Sequence, residues 1–224
     1  NATKMGRMSY GADLRKNGDY VDMAVKVGIG TMEVEDMAMS DLRYDFAINH
    51  VHGPTYAAIQ RKLQDVTATS TPADPTASTT VMSAFGEFLP QLLEHSPQVV
   101  IDRIGFSMPE GEAGLTATLQ LDNFTKEDMA SGSALALIGK LNASADIWFS
   151  EGLLRRDWKQ RASDDTGEDG NAADKLAGMQ MQVAQLEQQG YLQRDGDRLE
   201  SHIEFKNGTL SANGKPIGPM AQGM

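Results

Sequence analysis

Five stretches of this chain alternate apolar and polar residues strictly enough to constrain most of what it can fold into. Val21, Met23, Val25, Val27 and Ile29 skip over Asp22 and Lys26, and Leu42, Tyr44, Phe46 and Ile48 skip over Arg43, Asp45 and Ala47. Leu115 to Leu121, Leu141 to Phe149, and Leu199, Ile203 and Phe205 repeat the pattern. Successive side chains on a strand point to opposite faces, so each run has one apolar and one wet face. Wet outer faces indicate an antiparallel sheet, because a parallel sheet is covered on both sides. Several runs are longer than the roughly five to six residues of an average strand.

The C-terminal end adds turn chemistry to this alternation. Asn207-Gly208 and Asn213-Gly214 stand at the edges of strand sequence. Both central residues of a type I′ turn need positive φ, and Asn-Gly supplies it, so the stretch from Gly190 to Ile217 reads as helix end, strand, tight turn, strand, turn.

Helical spacing predicts four helices. Tyr56, Ile59, Leu63 and Val66 mark one over Pro54–Val66, with Pro54 suited to its first turn. Val81, Met82, Phe85, Phe88, Leu89 and Leu92 mark another over Val81–Leu93, which Pro90 should kink or interrupt. Leu153, Leu154 and Trp158 give a short helix over Glu151–Arg161, and Leu176, Met179, Val183 and Leu186 one over Asp174–Gln189, with Gly190 as its left-handed cap. Residues 67–80, rich in Thr, Ser, Ala, Asp and Pro, and residues 163–171, acidic and glycine-bearing, read as mobile loops. Glu35-Asp36-Met37-Ala38 recurs as Glu127-Asp128-Met129-Ala130, each copy lying between two strands and followed by a helix. That order favours a duplicated strand–strand–helix unit over chance.

These elements predict an α+β fold: a long, twisted antiparallel sheet in meander order, with helices packed on its apolar face. Residues 3–218 read as one such domain. Asn1-Ala2 reads as a tag remnant, since no initiating Met precedes it, and 219–224 as a flexible tail with Met220 and Met224.

Composition narrows function mainly by exclusion. A net charge of −11 argues against nucleic acid and against adsorption to an anionic membrane by charge alone. The absence of cysteine removes disulfides, thiolate metal sites and cysteine nucleophiles. No run reaches the ~18–20 apolar residues of a membrane span.

Candidate chemistry is sparse. His50 and His52 have the spacing to share a strand face and ligate a metal, but no third ligand is evident, and polar strand-end residues are the plainer reading. Gly28-Ile29-Gly30 lacks the third glycine and the helix of a dinucleotide fingerprint, and reads as a bulge or bend. Glu33 with Glu35, Asp164 with Asp165, and Glu168 with Asp169 are carboxylate pairs that a glycoside hydrolase could use, and also ordinary surface groups. The Asn-x-Ser/Thr triplets at Asn1, Asn123, Asn142 and Asn207 read as accidents of composition. Met23, Met32, Met37 and Met39, with Met179 and Met181, suit either an adaptable apolar groove or core filling, and core filling is preferred. Gly-x-Ser-x-Gly and Gly-Lys-Ser/Thr are absent. No catalytic, cofactor-binding or metal-binding residue is therefore assigned, and the balance falls against an enzyme.

Three passages resemble the YdgA-like family of Gram-negative bacteria, a family of unknown function. They are Pro97 to Glu112, the helix end at Gly190-Tyr191-Leu192, and Asn207 to Pro216. The likeness spans roughly residues 20–218. It implies a periplasmic location and an inner-membrane anchor N-terminal to this sequence, and supplies no active-site residues. A more distant likeness to AsmA-type envelope proteins implies lipid handling. The resulting expectation is a non-enzymatic periplasmic envelope protein that binds lipid or another apolar ligand between sheet and helices. The alternative is a homodimer or scaffold pairing through sheet edges, and a carboxylate hydrolase comes third.

Overall fold

The computed structural model describes residues 3–34, 37–69, 86–130, 134–164 and 172–218. Eleven strands form one antiparallel sheet in near-sequential order. They are β1 Thr3–Met5, β2 Met8–Asn17, β3 Tyr20–Val34, β4 Met37–His52, β5 Gln98–Met108, β6 Gly111–Leu121, β7 Leu141–Ser150, β8 Gln193–Asp195, β9 Arg198–Lys206, β10 Thr209–Ala212 and β11 Lys215–Pro216. Pieces β1 and β2 both pair with β3, and β8 and β10 both pair with β9. The expected meander is therefore present. Strand β2 was not expected, although Met8, Tyr10, Ala12 and Leu14 alternate as clearly as the runs that were.

The helices are α1 Gly53–Thr69, a segment α2 over 86–93, α3 Lys126–Ala130, α4 Ala134–Lys140, α5 Glu151–Asp164 and α6 Ala172–Gln189. Helix α1 runs on to Thr69, so the first expected loop starts later than 67, and its remainder lies outside the described residues. Ser163 and Asp164 likewise belong to α5, and 165–171 lie outside the described residues. Pro90 sits within helical α2 rather than ending it.

Register explains how alternation becomes a surface. Leu14, Met23, Ile48, Val99, Leu119, Ala143, Phe205 and Leu210 form one continuous row across eight strands. Ala12, Val25, Phe46, Ile101, Ala117, Ala145, Ile203 and Ala212 form the next. Cross-paired residues share a face, so these rows make one apolar side. Two bulges keep it in phase: the β4–β5 register shifts between Asp45 and Phe46, and the β3–β4 register between Val21 and Met23.

Helical cover is meagre. Helix α1 meets β4, α5 meets β6 and β7, and α6 packs on α5. Val25, Tyr44, Phe46, Ile48, Val99, Leu119 and Ile147 keep 39–44% of their surface exposed. The fully buried apolar residues among those described are few, among them Val51 and Ile59 by α1, Phe124 before α3, and Leu199 on β9.

The opposite face is polar and hollow. A cavity of about 590 Å³ is lined by Gly11, Asp13, Arg15, Asp22, Ala24, Lys26, Ala47 and Asn49. Another of about 290 Å³ lies by Thr118, Gln120, Asn142, Ser144 and Glu204. Cross-strand polar pairs tie this side together: Thr118 with Ser144 at 2.8 Å, and Asp146 with Nδ1 of His202 at 2.6 Å.

Candidate functional site

The sheet offers three chemically distinct regions: an imidazole corner, the apolar face, and the charged polar face.

Three of the chain's four histidines meet at one corner. Tyr20 opens β3 and pairs with His52 at the end of β4, and α1 begins one residue later, its Gly53 N–H donating to Asp19 O at 2.8 Å. His50 has φ 60, a left-handed conformation uncommon outside glycine, and its N–H donates to Asp22 Oδ1 at 2.8 Å. This bulge sends His50 onto the Tyr20 ring, centroids 3.7 Å apart. His95, from the end of α2, stacks on His52 at 3.8 Å. Nδ1 of His52 lies 2.8 Å from Oγ1 of the buried Thr55.

The corner thus unites His50 and His52 as their spacing suggested, and adds His95 and Tyr20, which no local pattern marks. Stacked rings present their nitrogens side by side rather than toward one point, and among the described residues no cluster of three or more His, Asp or Glu is arranged to hold a metal ion.

Stacked imidazoles have an acid–base consequence. His95 is held below the ordinary imidazole pKa by burial first and by His52 second, with Glu94 opposing and His50 adding slightly. A depressed folded-state value means the unfolded chain takes up the proton more readily. Stability from this group is complete above the unfolded value of about 6.5 and falls as pH drops below it. His202 has the opposite sign. Its pKa is raised chiefly by the hydrogen bond to Asp146, against burial, so its contribution is present below about 6.5 and lost as pH rises through the folded value. His202 is half-exposed, which dilutes its effect. Melting temperatures measured from about pH 7.5 to about 5.5 should fall less steeply in His95→Gln than in the unsubstituted protein. Parallel slopes would show that the stacked ring carries no proton linkage.

The apolar face takes in the residues that alternation singled out. Val25, Phe46, Leu119, Ile147 and Phe205 share one side of the sheet, as expected. The preference for methionine as core filling is corrected: no described methionine is fully buried, Met5 and Met37 are exposed, and Met5, Met32 and Met39 cross-pair in one row. Met23, Met32, Met39 and Met179 are half-buried, so these thioethers sit at the margin of the apolar surface rather than inside.

The remaining candidates scatter. Gly28 and Gly30 sit in β3, away from any helix start. Glu33 pairs with Lys4 at 3.3 Å, while Glu35, Asp165, Glu168 and Asp169 lie outside the described residues. Asp146, His202 and Glu204 form a chain of charge on the polar face, yet with Thr116 as the near hydroxyl at 3.4 Å it lacks a nucleophile held by the imidazole. Arg194 joins Glu187 at 2.7 Å and Glu151 at 2.6 Å, clamping the ends of α6 and α5, a structural use of charge.

Fold and surface together define an α+β protein built on one open antiparallel sheet whose apolar side is only partly covered by the described helices. The chain belongs to the family described as "Bacterial protein of unknown function (DUF945)", whose profile matches residues 1–220. Neither a curated protein nor a solved structure matches it.

Proposed function

We propose that this protein is a non-enzymatic component of the bacterial cell envelope. It faces the periplasm, is tethered to the inner membrane, and holds a lipid acyl chain or similar apolar ligand against the apolar side of its sheet. The observation that carries the reading is the half-exposed apolar surface spanning β2 to β7. Taking roughly 150–200 Å² for each large side chain, its exposed part is on the order of 500 Å², near the upper end for a patch without a use. Helices α1 and α5 each begin at the residue after a strand, at Gly53 and Glu151, so they flank this surface. In the proposed bound form they close over the ligand. The family resemblance supports the envelope assignment, and among the described residues no convergent catalytic set competes with it.

Solvent extraction of the purified protein followed by mass spectrometry should yield lipid. A fluorescent fatty acid should bind and be displaced by unlabelled fatty acid. Replacing Phe46 and Ile48 with serine should weaken that binding about tenfold, which follows from losing two large apolar contacts. Extraction without lipid, together with no probe binding, would sink the reading.

A second reading rests on β2. All ten of its residues are exposed, and among the described residues no strand pairs with its outer edge. Light scattering that shows a dimer insensitive to Phe46 and Ile48, with no lipid recovered, would favour this homodimeric scaffold instead.

A further inference from the structure

On the polar face, opposite the acyl platform, two glycines open a small pocket that two arginines line. Gly28 of β3 is paired on one side with Ser9 of β2 and on the other with Arg43 of β4. Gly30 donates its N–H to Arg7 O at 2.7 Å. Neither glycine contributes a side chain, so a cavity of about 130 Å³ remains, lined by Arg7, Ser9, Gly28, Ile29, Gly30, Asp41 and Arg43. A methyl group at Gly28 would lie 2.6 Å from Ser9 Oγ and 3.6 Å from Nη1 of Arg43, so both side chains reach over the glycine.

The flank of the pocket is a bulge with unusual backbone. Asp41 has φ 49, and it and Leu42 are bulged between the Ser40–Ser107 and Arg43–Gly105 pairs. Left-handed aspartate carries a conformational cost, and such outliers gather where a side chain must be aimed. Here the bulge aims the Asp41 carboxylate at two guanidiniums, Nε of Arg43 at 2.8 Å and Nη2 of Arg103 at 3.4 Å. One carboxylate thus orients two arginines without neutralising both. Nε of Arg103 is buried without a hydrogen-bond partner, as is Oδ1 of the facing Asp45. Arg7 and Arg43 line the pocket against one carboxylate, Asp41, in a chain whose net charge is −11.

We propose that this pocket binds a phosphate-type oxyanion. Arg7 and Arg43 take its oxygens from opposite sides, Ser9 Oγ turns to it the hydroxyl proton that it otherwise donates to Gly28 O at 3.4 Å, and Asp41 positions Arg43. Guanidinium suits the role because its planar fork bonds two phosphate oxygens at once. The ligand is free phosphate or the phosphomonoester headgroup of a lipid.

Titration calorimetry of the whole chain with inorganic phosphate at low salt tests the site. Sedimentation with phosphatidylcholine vesicles, with and without phosphatidic acid, separates the two sources. Phosphate should bind, or phosphatidic acid should retain the protein. Arg43→Ala and Arg7→Ala should each weaken that binding tenfold or more, and Arg43→Lys should weaken it several-fold while conserving charge. Arg155→Ala, an equal charge loss on α5, should leave it unchanged. No binding in either arm, or equal losses with Arg155→Ala, overturns the proposal. Its failure leaves the apolar platform on the other face untouched.

Discussion

Leu199→Ala should lower the stability of the folded chain by about 2–5 kcal/mol, the range for deleting a fully buried leucine. Leu199 has 0% of its surface exposed, lying in the row that pairs Phe149 of β7 with Arg194 of β8. For a chain of this size each kcal/mol moves the melting temperature by roughly 2–4 °C, so a fall near 10 °C is expected. Leu119→Ala, on the same face but 44% exposed, should cost much less, about 1 kcal/mol, because water already reaches it. Urea unfolding of the two variants side by side measures the contrast. Near-equal losses would mean that the apolar rows are sealed in solution and that no open platform exists. The experiment therefore separates residues that hold the fold together from residues free to meet a ligand.

The contrast also marks the limit of what alternation reveals. Parity placed Val25, Phe46, Leu119, Ile147 and Phe205 on one side because side-chain direction is a local property of a strand. Whether a helix then covers that side is a tertiary matter, and the spacing of Leu176, Met179, Val183 and Leu186 says only that α6 has an apolar stripe. In the structure α6 lies on α5. Bulges limit parity too: the left-handed residues Asp41 and His50 each insert an unpaired step that no composition rule signals.

The repeated Glu-Asp-Met-Ala shows the same point in miniature. In the first copy Met37 and Ala38 begin β4, whereas Met129 and Ala130 lie in α3. The difference sits just upstream. Thr125 stands three residues before Asp128, and the two cap each other: Thr125 N–H donates to Asp128 Oδ2 at 2.7 Å, and Oγ1 of Thr125 accepts from Asp128 N–H at 3.4 Å. The first copy has Glu33 where the second has Thr125, so it lacks that cap. That signal is readable in the sequence, and the strand–strand–helix order still recurs, as β3–β4–α1 and as β6–β7–α5. The gathering of His95 with His50 and His52, by contrast, joins elements more than forty residues apart and had no local signature.

The two Asn-Gly turns were the most legible feature, yet they should respond very differently to substitution. Both are type I′: Asn207 and Gly208 have φ 51 and 72, and Asn213 and Gly214 have φ 49 and 74. Asn207 is exposed at a hairpin tip. The Asn213 side chain is a junction. Its Nδ2 donates to Gly190 O at 3.2 Å and Tyr191 O at 3.0 Å, and its Oδ1 accepts from His202 N–H at 2.9 Å. It therefore holds the end of α6 against β9 and the final turn. Lys215 reinforces the same junction by donating to Gln189 O at 2.6 Å. Asn207→Ala should cost only the left-handed backbone term, about 1–2 kcal/mol. Asn213→Ala should cost that plus the stranded backbone groups, each worth roughly 1 kcal/mol or more, for a total of about 3–5 kcal/mol. Asn213→Gly isolates the side chain, since glycine tolerates positive φ, and should recover only the backbone part, about 1–2 kcal/mol of the loss. Chemical unfolding of the three variants gives the order directly. If Asn213→Gly were as stable as the unsubstituted chain, the Asn213 side-chain bonds would contribute nothing, and α6 would be held by its cap, its packing on α5 and the bonds of Lys215 and Arg194.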